Sequence, residues 1–438
     1  MSHFNSFFTY SFGCRVNMAE KEQIDKQMTA AGFFQNESKP DIYIINTCSV
    51  THKAEREARQ LIYQIKKKLP KAKIVITGCS ATYWLKTGKY NDLPIDLITD
   101  NLQKEYLVQL IKKQLLNNVP LSDGRLRVVS NKNEISDKKT DKFLSSGRFM
   151  VKIQDGCHRF CSFCIVPYLR GLPISRTISE IISLINENSQ IKEAILTAIN
   201  TEAFGKDTNE SFLELVKVTL NRTKISRLSF GSVHPWSLTD EFLEFYKNNC
   251  ENERLVHFFH IPLQSGSNKI LQLMKRVHTR EDMMMRVKQI TAINETAFIS
   301  TDVIVGFLEE TDVDFQDTYE FLAKSPISKF HVFRFSKREL TASFYLAKRL
   351  KEPDEKTKIR RAKLLRDLSE VKYEAFKKSL LGYRSQALFL SPNVSQQEAL
   401  LNNQIPVCLQ KSGFEPGNLK TVEVVKYKNK KLFGRIIN

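Results

Sequence analysis

The chain has 438 residues, of which 42% are hydrophobic and 26% are charged. A chain of this length is too long for a single hydrophobic core, so two or three domains are expected. The composition is typical of a soluble globular protein. The net charge of +19 favours a polyanionic partner, nucleic acid first and an anionic membrane surface second. We find neither a membrane-spanning run nor a signal peptide, so the eight cysteines are expected to be reduced and cytoplasmic, which favours metal binding over disulfides.

Three cysteines of the first third share a local context. Cys14, Cys48 and Cys79 each follow a strand-like apolar run and precede a helical pattern. Because the carboxyl ends of parallel strands meet at one edge of a sheet, the three side chains are expected to converge there. Gly13 and Gly78 directly precede two of them, as tight turns require. The pattern predicts a three-cysteine cluster site with one open iron; the alternative is that small, apolar cysteine merely suits a sheet edge. Cys250 and Cys408 lack this context and are interpreted as ordinary cysteines.

A polar, charged stretch over 121–142 predicts a linker, and alternating strands and helices follow it. Six such units predict a parallel barrel or a doubly wound sheet, most simply a partial (β/α)6 barrel. The predicted strands are 149–154, 194–199, 227–232, 257–263, 298–305 and 330–335.

A second group of cysteines follows the first strand of this region. Cys157, Cys161 and Cys164 have the spacing CxxxCxxC. Such a loop binds three irons of a cubane cluster and leaves the fourth open to a non-protein ligand. The alternative is a zinc half-site, although zinc ordinarily takes four ligands. Phe160 and Phe163 lie between the cysteines and are expected to shield a cluster from water.

Further candidates for cofactor binding lie at the ends of predicted strands. Thr197 and Asn200 end the second strand, Gln264 follows the fourth, and Gly306 follows the fifth, with Glu310 four residues later. A glycine lets the backbone approach a ligand closely, and a glutamate accepts hydrogen bonds from ribose or amine groups. Plain loop chemistry is the alternative for each.

The C-terminal part begins with a charged helix over 352–378 and continues as a β-rich tail. From Lys372 onward there are eleven Lys and Arg against four Asp and Glu. Predicted strands lie at 385–390, 405–409, 419–427 and 431–436. A small barrel carrying basic residues and the aromatic residues Tyr383, Phe389, Phe414, Tyr427 and Phe433 suits RNA contact, the alternative being a solvated capping domain. The predicted domains are 1–120, 143–372 and 373–438.

These motifs resemble a known family. CHRFCSFC after an apolar strand resembles the radical S-adenosylmethionine (SAM) enzymes. With Cys14 in GCRVN, Cys48 in NTC and Cys79 in TGC, nearly the whole chain resembles the methylthiotransferases. The resemblance implies an open parallel α/β domain, a radical SAM partial barrel, and a C-terminal TRAM domain, which is a small RNA-binding β-barrel. KIQDGC and GCRVN look most like the bacterial branch acting on threonylcarbamoyladenosine in tRNA.

The resemblance also implies the chemistry and the partners. Two 4Fe–4S clusters are expected, one on Cys157, Cys161 and Cys164 that binds and cleaves SAM, and one on the other three cysteines that holds or donates sulfur. The resulting radical takes hydrogen from C2 of the adenine, and a second SAM supplies the methyl group. The expected partners are the tRNA anticodon loop, an electron donor of flavodoxin or ferredoxin type, and a sulfur source. The alternatives are methylthiolation of isopentenyladenosine or of a ribosomal protein, and a non-catalytic metal-containing RNA-binding protein.

The chain departs from the family pattern at a few positions that bear on SAM contact. Ala198 and Glu202 replace glycines, Leu308 and Glu309 replace proline and glycine, and His234 replaces a glutamate. Arg170 and Arg176 follow the cysteine loop and are candidates for orienting SAM or phosphate, or for solvated salt bridges.

Overall fold

The structure is a computed structural model that describes residues 5–116, 147–188, 190–390, 396–410 and 413–437. The predicted linker at 121–142 lies outside the described residues. The chain divides into two compact units, one comprising Met1–Lys142 and Ile165–Gly171, the other Phe143–Cys164 and Leu172–Asn438. None of the helices in the described ranges combines the length and apolarity needed to cross a bilayer.

The first unit is built on a five-stranded parallel sheet. Its strands are β1 (Ser6–Ser11), β2 (Phe34–Gln35), β3 (Ile42–Thr47), β4 (Lys73–Gly78) and β5 (Leu97–Ile98), in the order β2-β1-β3-β4-β5. Its helices are α1 (Arg15–Ala30), α2 (His52–Lys68), α3 (Cys79–Thr87), α4 (Leu107–Ile111) and α5 (Val166–Arg170). Every residue of β3 is buried, as expected for a central parallel strand covered on both faces.

Short-range signals set the helices of this unit. Helix α2 begins at a Thr51 cap, whose hydroxyl accepts the Ala54 N–H, and it buries Ala58, Ile62 and Ile65 at helical spacing. Helix α1 buries Ile24 and Met28 in the same way, next to the apolar residues of α4. The predicted open parallel α/β domain is therefore what the first unit forms.

The first part of the second unit contains six parallel strands and one short antiparallel strand. The strands are β6 (Arg148–Asp155), β7 (Ile174–Ser175), β8 (Glu193–Ala198), β9 (Arg227–Phe230), β10 (Phe258–His260), β11 (Phe298–Val305) and β12 (Lys329–Arg334). They pair as β7-β6-β8-β9, with β7 antiparallel, and as β10-β11-β12. A bridge between Ser232 and His260 joins the two groups, so β6, β8, β9, β10, β11 and β12 follow one another around a partial barrel.

Helices alternate with these strands. They are α6 (Ile178–Asn186), α7 (Phe212–Arg222), α8 (Asp240–Asn248), α9 (Asn268–Leu273), α10 (Arg280–Ile293), α11 (Asp312–Lys324), α12 (Ala342–Leu346) and α13 (Glu355–Ser379). Helices α6, α10 and α11 start at capping boxes formed by Thr177, Thr279 and Thr311. Alternate strand residues such as Val151 and Ile153 join the helix-facing core, which leaves the intervening residues for the barrel interior.

The C-terminal part is a closed five-stranded barrel. Its strands are β13 (Arg384–Phe389), β14 (Gln396–Leu400), β15 (Pro406–Gln410), β16 (Leu419–Lys428) and β17 (Lys431–Ile436), in the order β13-β14-β15-β17-β16. Phe389 is fully buried in its core, so the prediction that this ring contacts RNA is wrong. The predicted boundary at 372 falls inside α13, and the two barrels share one unit, so their separation into domains stays a prediction.

The C-terminal barrel packs against the end of the six-stranded barrel where β8 and β9 begin. The Arg227 guanidinium donates to the carbonyls of Leu400 and Leu401 at 2.7 and 3.0 Å, and the Gln404 amide donates to Glu193 at 2.6 Å. Glu193 and Arg227 are the first residues of β8 and β9 and are completely buried. The C-terminal barrel therefore lies at the amino ends of the strands, whereas the cysteine loop follows the carboxyl end of β6.

Candidate metal centres

The three cysteines of the first unit lie at the ends of adjacent strands. Cys14 caps α1 shortly after β1, Cys48 directly follows β3, and Cys79 is the first residue of α3 after β4. Because β1, β3 and β4 are neighbours in the sheet, the three side chains meet at one edge, as the sequence predicts.

Two glycines make this convergence possible. At Gly13, which has φ +87°, a methyl group would lie 2.7 Å from Cys48 Cβ and 2.8 Å from its Sγ. At Gly78, which has φ +97°, a methyl group would lie 2.5 Å from the Thr47 carbonyl oxygen. Both positions therefore need glycine for backbone conformation and for space.

The thiols differ in their surroundings. Burial, and then the neighbouring Cys79, raise the pKa of Cys48 to about 12. Cys14 is accessible to solvent, yet desolvation by the surrounding protein atoms raises its pKa. The Asn101 amide lies 3.7 Å from Cys79 Sγ. Metal binding here must displace thiol protons, so it is expected to weaken at low pH.

A buried polar network lies beside this edge. The Arg170 guanidinium donates to Glu20 Oε1 and to Asn17 Oδ1, both at 2.7 Å, and Lys104 Nζ lies 2.5 Å from Glu20 Oε2. Asn17 in turn donates to the Thr47 carbonyl at 3.0 Å. Arg170 is only 4% exposed, so the predictions that it orients SAM or phosphate or forms a solvated salt bridge are wrong.

The structure also places Arg176 and the two phenylalanines that were predicted to shield a cluster from water. Arg176 is half-buried, and its role stays a prediction. Phe163 packs against the apolar cluster that contains Phe307, whereas Phe160 is 40% exposed and has φ +44°. Only Phe163 is therefore placed as a ring that excludes water.

The cysteine loop of the second unit receives N–H donors. The Arg159 backbone N–H lies 3.5 Å from Cys157 Sγ, and Arg276 Nη1 lies 3.6 Å from Cys161 Sγ. Cys161 is buried, whereas Cys157 and Cys164 are half-buried. Burial raises the pKa of Cys157, and the Arg159 backbone N–H opposes this effect. Donors directed at sulfur are a common feature of iron–sulfur sites and tune their potentials.

Two predicted cofactor residues lie beside this loop. Asn200 is completely buried, its backbone N–H donates to Gln154 at 2.9 Å, and its side-chain Nδ2 has no hydrogen-bond partner. The Asn200 side chain also lies close enough to Cys157 to influence the pKa of that thiol. Thr197 faces Gly231, where a methyl group would lie 2.6 Å from its Oγ1. The Asn200 amide oxygen accepts the Glu202 N–H at 3.3 Å, so it is the buried Nδ2 that fits a site receiving a ligand.

The remaining predicted cofactor residues have mainly structural contacts. Gln264, four residues after the end of β10, has φ +79°, a strained conformation. A methyl group at Gly306 would lie 2.3 Å from Lys358 Cγ, so packing requires this glycine. The Glu310 carboxylate accepts the Gly306 N–H at 2.8 Å and pairs with Arg361 at 2.7 Å. Burial raises the pKa of Glu310 to about 7 against these contacts. Glu310 thus braces the loop, and its direct contact with SAM stays a prediction.

A polar group in the barrel interior was not predicted. His260 Nε2 lies 3.2 Å from Asp302 Oδ2, and His260 Nδ1 lies 2.8 Å from Ser300 Oγ. The His331 ring lies 5.6 Å from that of His260. The alternating polar residues Ser300 and Asp302 within β11 were the available signal, because an interior polar face is unusual for a buried parallel strand.

The fit to iron–sulfur clusters rests on the donor sets. Each site offers three thiols, and the second adds N–H donors at two sulfurs and the buried Asn200 amide nitrogen. Within the part of the chain that the structure describes, no three His, Cys, Asp or Glu side chains are arranged around a single metal ion. Cysteines of a cubane cluster bind different irons, so this spacing suits a cluster and not a single ion.

Comparison with known proteins places the chain in a family. Residues 6–98 match the Uncharacterized protein family UPF0004, and residues 151–322 match the Radical SAM superfamily. The threonylcarbamoyladenosine tRNA methylthiotransferase MtaB of Aquifex aeolicus is 32% identical over 87% of this chain and 92% of that protein. The tRNA-2-methylthio-N(6)-dimethylallyladenosine synthase of Buchnera aphidicola is 30% identical over 76% of this chain and 76% of that protein.

A solved structure supports the fold. The radical SAM methyltransferase TsrM from Kitasatospora setae, with cobalamin and a 4Fe–4S cluster bound, has a TM-score of 0.51 at 12% identity and covers 76% of this chain and 72% of its own. Fold and cysteine loop together define a radical SAM enzyme. The chain belongs to the radical SAM methylthiotransferase family. The predicted fold class, enzyme class and cofactors, two 4Fe–4S clusters and SAM, are confirmed for that family.

Proposed function

We propose that this enzyme transfers a methylthio group to C2 of N6-threonylcarbamoyladenosine beside the anticodon of tRNA. The observation that carries the proposal is the convergence of Cys14, Cys48 and Cys79 in a chain that also has the radical SAM cysteine loop. The substrate follows from the Aquifex aeolicus relative, whose alignment covers 92% of its length, against 76% for the dimethylallyladenosine synthase.

In this proposal the two cysteine sets have separate tasks. Cys157, Cys161 and Cys164 hold the cluster that binds SAM, and the cysteines of the first unit hold the cluster that supplies sulfur. The cluster with SAM supplies a carbon radical, the chemistry needed to remove hydrogen from an aromatic C–H that no side-chain base could deprotonate. Asn200 supports the site by placing a buried amide nitrogen beside Cys157.

The C-terminal barrel provides a basic surface for RNA. Its exposed lysines are Lys420, Lys426, Lys428, Lys430 and Lys431. Lys420 lies 5.3 Å from the centre of the Phe414 ring, and Lys378 of α13 lies 5.5 Å from that of Tyr427. Such basic and aromatic pairs support contact with phosphates and bases of a tRNA. A cytoplasmic electron donor of flavodoxin or ferredoxin type and a sulfur source complete the proposed reaction.

Mass spectrometry of tRNA nucleosides tests the function. A strain lacking this gene is expected to lose 2-methylthio-N6-threonylcarbamoyladenosine and to accumulate the unmethylthiolated nucleoside. The wild-type gene and the Cys250→Ala variant restore the modification, whereas Cys48→Ala does not. Loss of the dimethylallyl nucleoside or of a ribosomal-protein modification instead would reassign the substrate.

Iron analysis tests the ligand assignment separately. Anaerobically reconstituted protein is expected to bind about eight irons, as two four-iron clusters. Changing Cys157, Cys161 and Cys164 together to alanine leaves about four irons and abolishes SAM cleavage under dithionite. SAM cleavage by that variant would refute the assignment.

A further inference from the structure

Two arginines, one within the cysteine loop and one that contacts it, lie over one indole ring. Trp236 belongs to the short helical turn Pro235–Ser237 that follows β9. The guanidinium carbons of Arg159 and Arg276 each lie 4.7 Å from the centre of the Trp236 ring. Arg276 also directs Nη1 at Cys161 Sγ, and the backbone of Arg159 donates to Cys157. Arg159 and Arg276 thus link the indole to two of the three cysteines of this loop.

Neighbouring groups fix the orientation of both arginines. Arg159 donates through Nε to Glu202 at 3.0 Å and pairs through Nη2 with the same carboxylate at 2.7 Å. Arg276 donates through Nη2 to the Pro262 carbonyl at 3.0 Å. The His234 ring stacks on Trp236, with the ring centres 5.0 Å apart and the planes at 21°.

This arrangement accounts for two departures from the family pattern. Glu202 replaces a glycine and pairs with Arg159, and His234 replaces a glutamate and stacks on the indole. Burial, and then Arg276, lower the pKa of His234 to about 3, so this ring is neutral at physiological pH. His234 therefore adds a stacking surface and no third positive charge.

We propose that Trp236 positions Arg159 and Arg276 so that their charges raise the reduction potential of the cluster on Cys157, Cys161 and Cys164. The reduced cluster carries one more negative charge than the oxidised cluster, and nearby cations stabilise the more negative state. Arginine suits this role because it stays charged and stacks on aromatic rings. The three are positioning residues. The inference depends on the radical SAM chemistry of the family and not on which nucleoside is modified.

A redox titration followed by electron paramagnetic resonance tests the inference on full-length reconstituted protein. The titration is made in a Cys14/Cys48/Cys79→Ala background, so that one cluster contributes to the signal. Arg276→Gln is expected to lower the ratio of reduced to oxidised cluster about tenfold at fixed potential, a shift of about 59 mV to more negative values. Arg276→Lys keeps the positive charge, so its reduction potential is expected to stay close to the parent value.

Two further variants separate charge from packing. Trp236→Leu releases both guanidinium groups and is expected to shift the potential in the same direction as Arg276→Gln. Glu202→Gln removes the negative charge beside Arg159 and is expected to shift it to more positive values. Because Glu202 is only half-buried, this variant decides the matter even if Arg276→Gln fails to bind iron.

The matched control is Arg286→Gln. Arg286 lies on α10 and pairs with Asp240, so its loss is expected to leave the potential at the parent value. An Arg276→Gln protein with full iron and the parent potential would overturn the inference. So would a shift in Trp236→Leu without one in Arg276→Gln, because packing alone would then set the potential. An unshifted Glu202→Gln protein with full iron would likewise overturn it.

Discussion

Glu20 and Arg170 form a buried ion pair in the first unit, and breaking it is expected to be costly. Their side chains are 3% and 1% exposed, and Lys104 also pairs with Glu20. Arg170→Met leaves the carboxylate partly uncompensated, so the first unit is expected to lose about 3 kcal/mol of stability. Urea unfolding followed by circular dichroism measures this loss. The control Lys21→Met, which breaks a more exposed pair with Asp25, is expected to cost less than about 1 kcal/mol, and equal costs would contradict the prediction.

His257 predicts a pH dependence of the second unit. Burial, and then Arg227, lower the pKa of His257 from 6.5 to about 4, and Tyr246 Oη lies 3.1 Å from its Nδ1. The folded state therefore binds the proton less tightly than the unfolded state. The stability from neutral His257 is complete above pH 6.5 and is lost as pH falls toward 4, roughly 2 kcal/mol by pH 5.

Comparing unfolding at pH 7 and pH 5 measures this contribution. In His257→Gln, which cannot take up a proton but can still contact Tyr246, the stability difference between the two pH values is expected to shrink by roughly 2 kcal/mol. His52→Gln, at an exposed position, is expected to keep the wild-type difference. An unchanged difference in His257→Gln would show that other groups determine the acid sensitivity.

Single residues were predictable where chemistry depends on local spacing. The cysteines were found because CxxxCxxC and three strand-end positions are visible over short stretches. The role of Arg170 was not, because Glu20 lies 150 residues away along the chain. The contacts of Glu310 and Gly306 with Arg361 and Lys358 were missed for the same reason, since these partners come from the distant helix α13.

The turn from β4 into α3 is a local element whose glycine can be tested. Gly78→Ala would place a methyl group 2.5 Å from the Thr47 carbonyl oxygen, so β3 and β4 must separate next to Cys79. We expect loss of the first-unit cluster, measured as about four irons in place of about eight. Gly88→Ala is the matched control, because Gly88 also has positive φ, at +70°, but nothing lies within 4 Å of the added group.

The two glycine variants should therefore differ in kind. Gly88→Ala is expected to cost only the left-handed backbone penalty of about 1 kcal/mol and to keep its iron. Equal iron loss in both variants would indicate that backbone conformation, and not crowding against Thr47, determines the effect.

At the level of elements, the sequence predicted the long, periodic segments best. The six parallel strands and the long helix were anticipated, because apolar runs and charged helical periodicity are local properties. The predicted strand at 257–263 shrinks to Phe258–His260, just before Pro262, which cannot donate a strand hydrogen bond. Strand β14 was missed, because QQEAL has little β-propensity and is held by pairing with β13 and β15.

The position of the C-terminal barrel in the second unit could not be predicted. Arg227 and Glu193 look like ordinary residues at the starts of strands. In the structure, Arg227 donates to the carbonyls of Leu400 and Leu401, and Glu193 accepts a hydrogen bond from Gln404. Removing the tail would leave Glu193 and Arg227 uncovered at the end of the six-stranded barrel. Truncation would therefore confound RNA binding with stability, and charge substitutions are the better test.

Lys426 and Lys428 are expected to bind tRNA phosphates. They are exposed, lie two residues apart on β16 and therefore share one face of the strand. Changing both to glutamine is expected to weaken tRNA binding and to reduce the slope of log affinity against log salt by about 1 to 2, because each lost phosphate contact removes about 0.7 to 0.9. Fluorescence anisotropy across a salt series measures this slope. The control changes Lys288 and Lys324, exposed on α10 and α11, which lowers the net charge equally. If the control flattens the slope as much, net charge and not this face determines RNA binding.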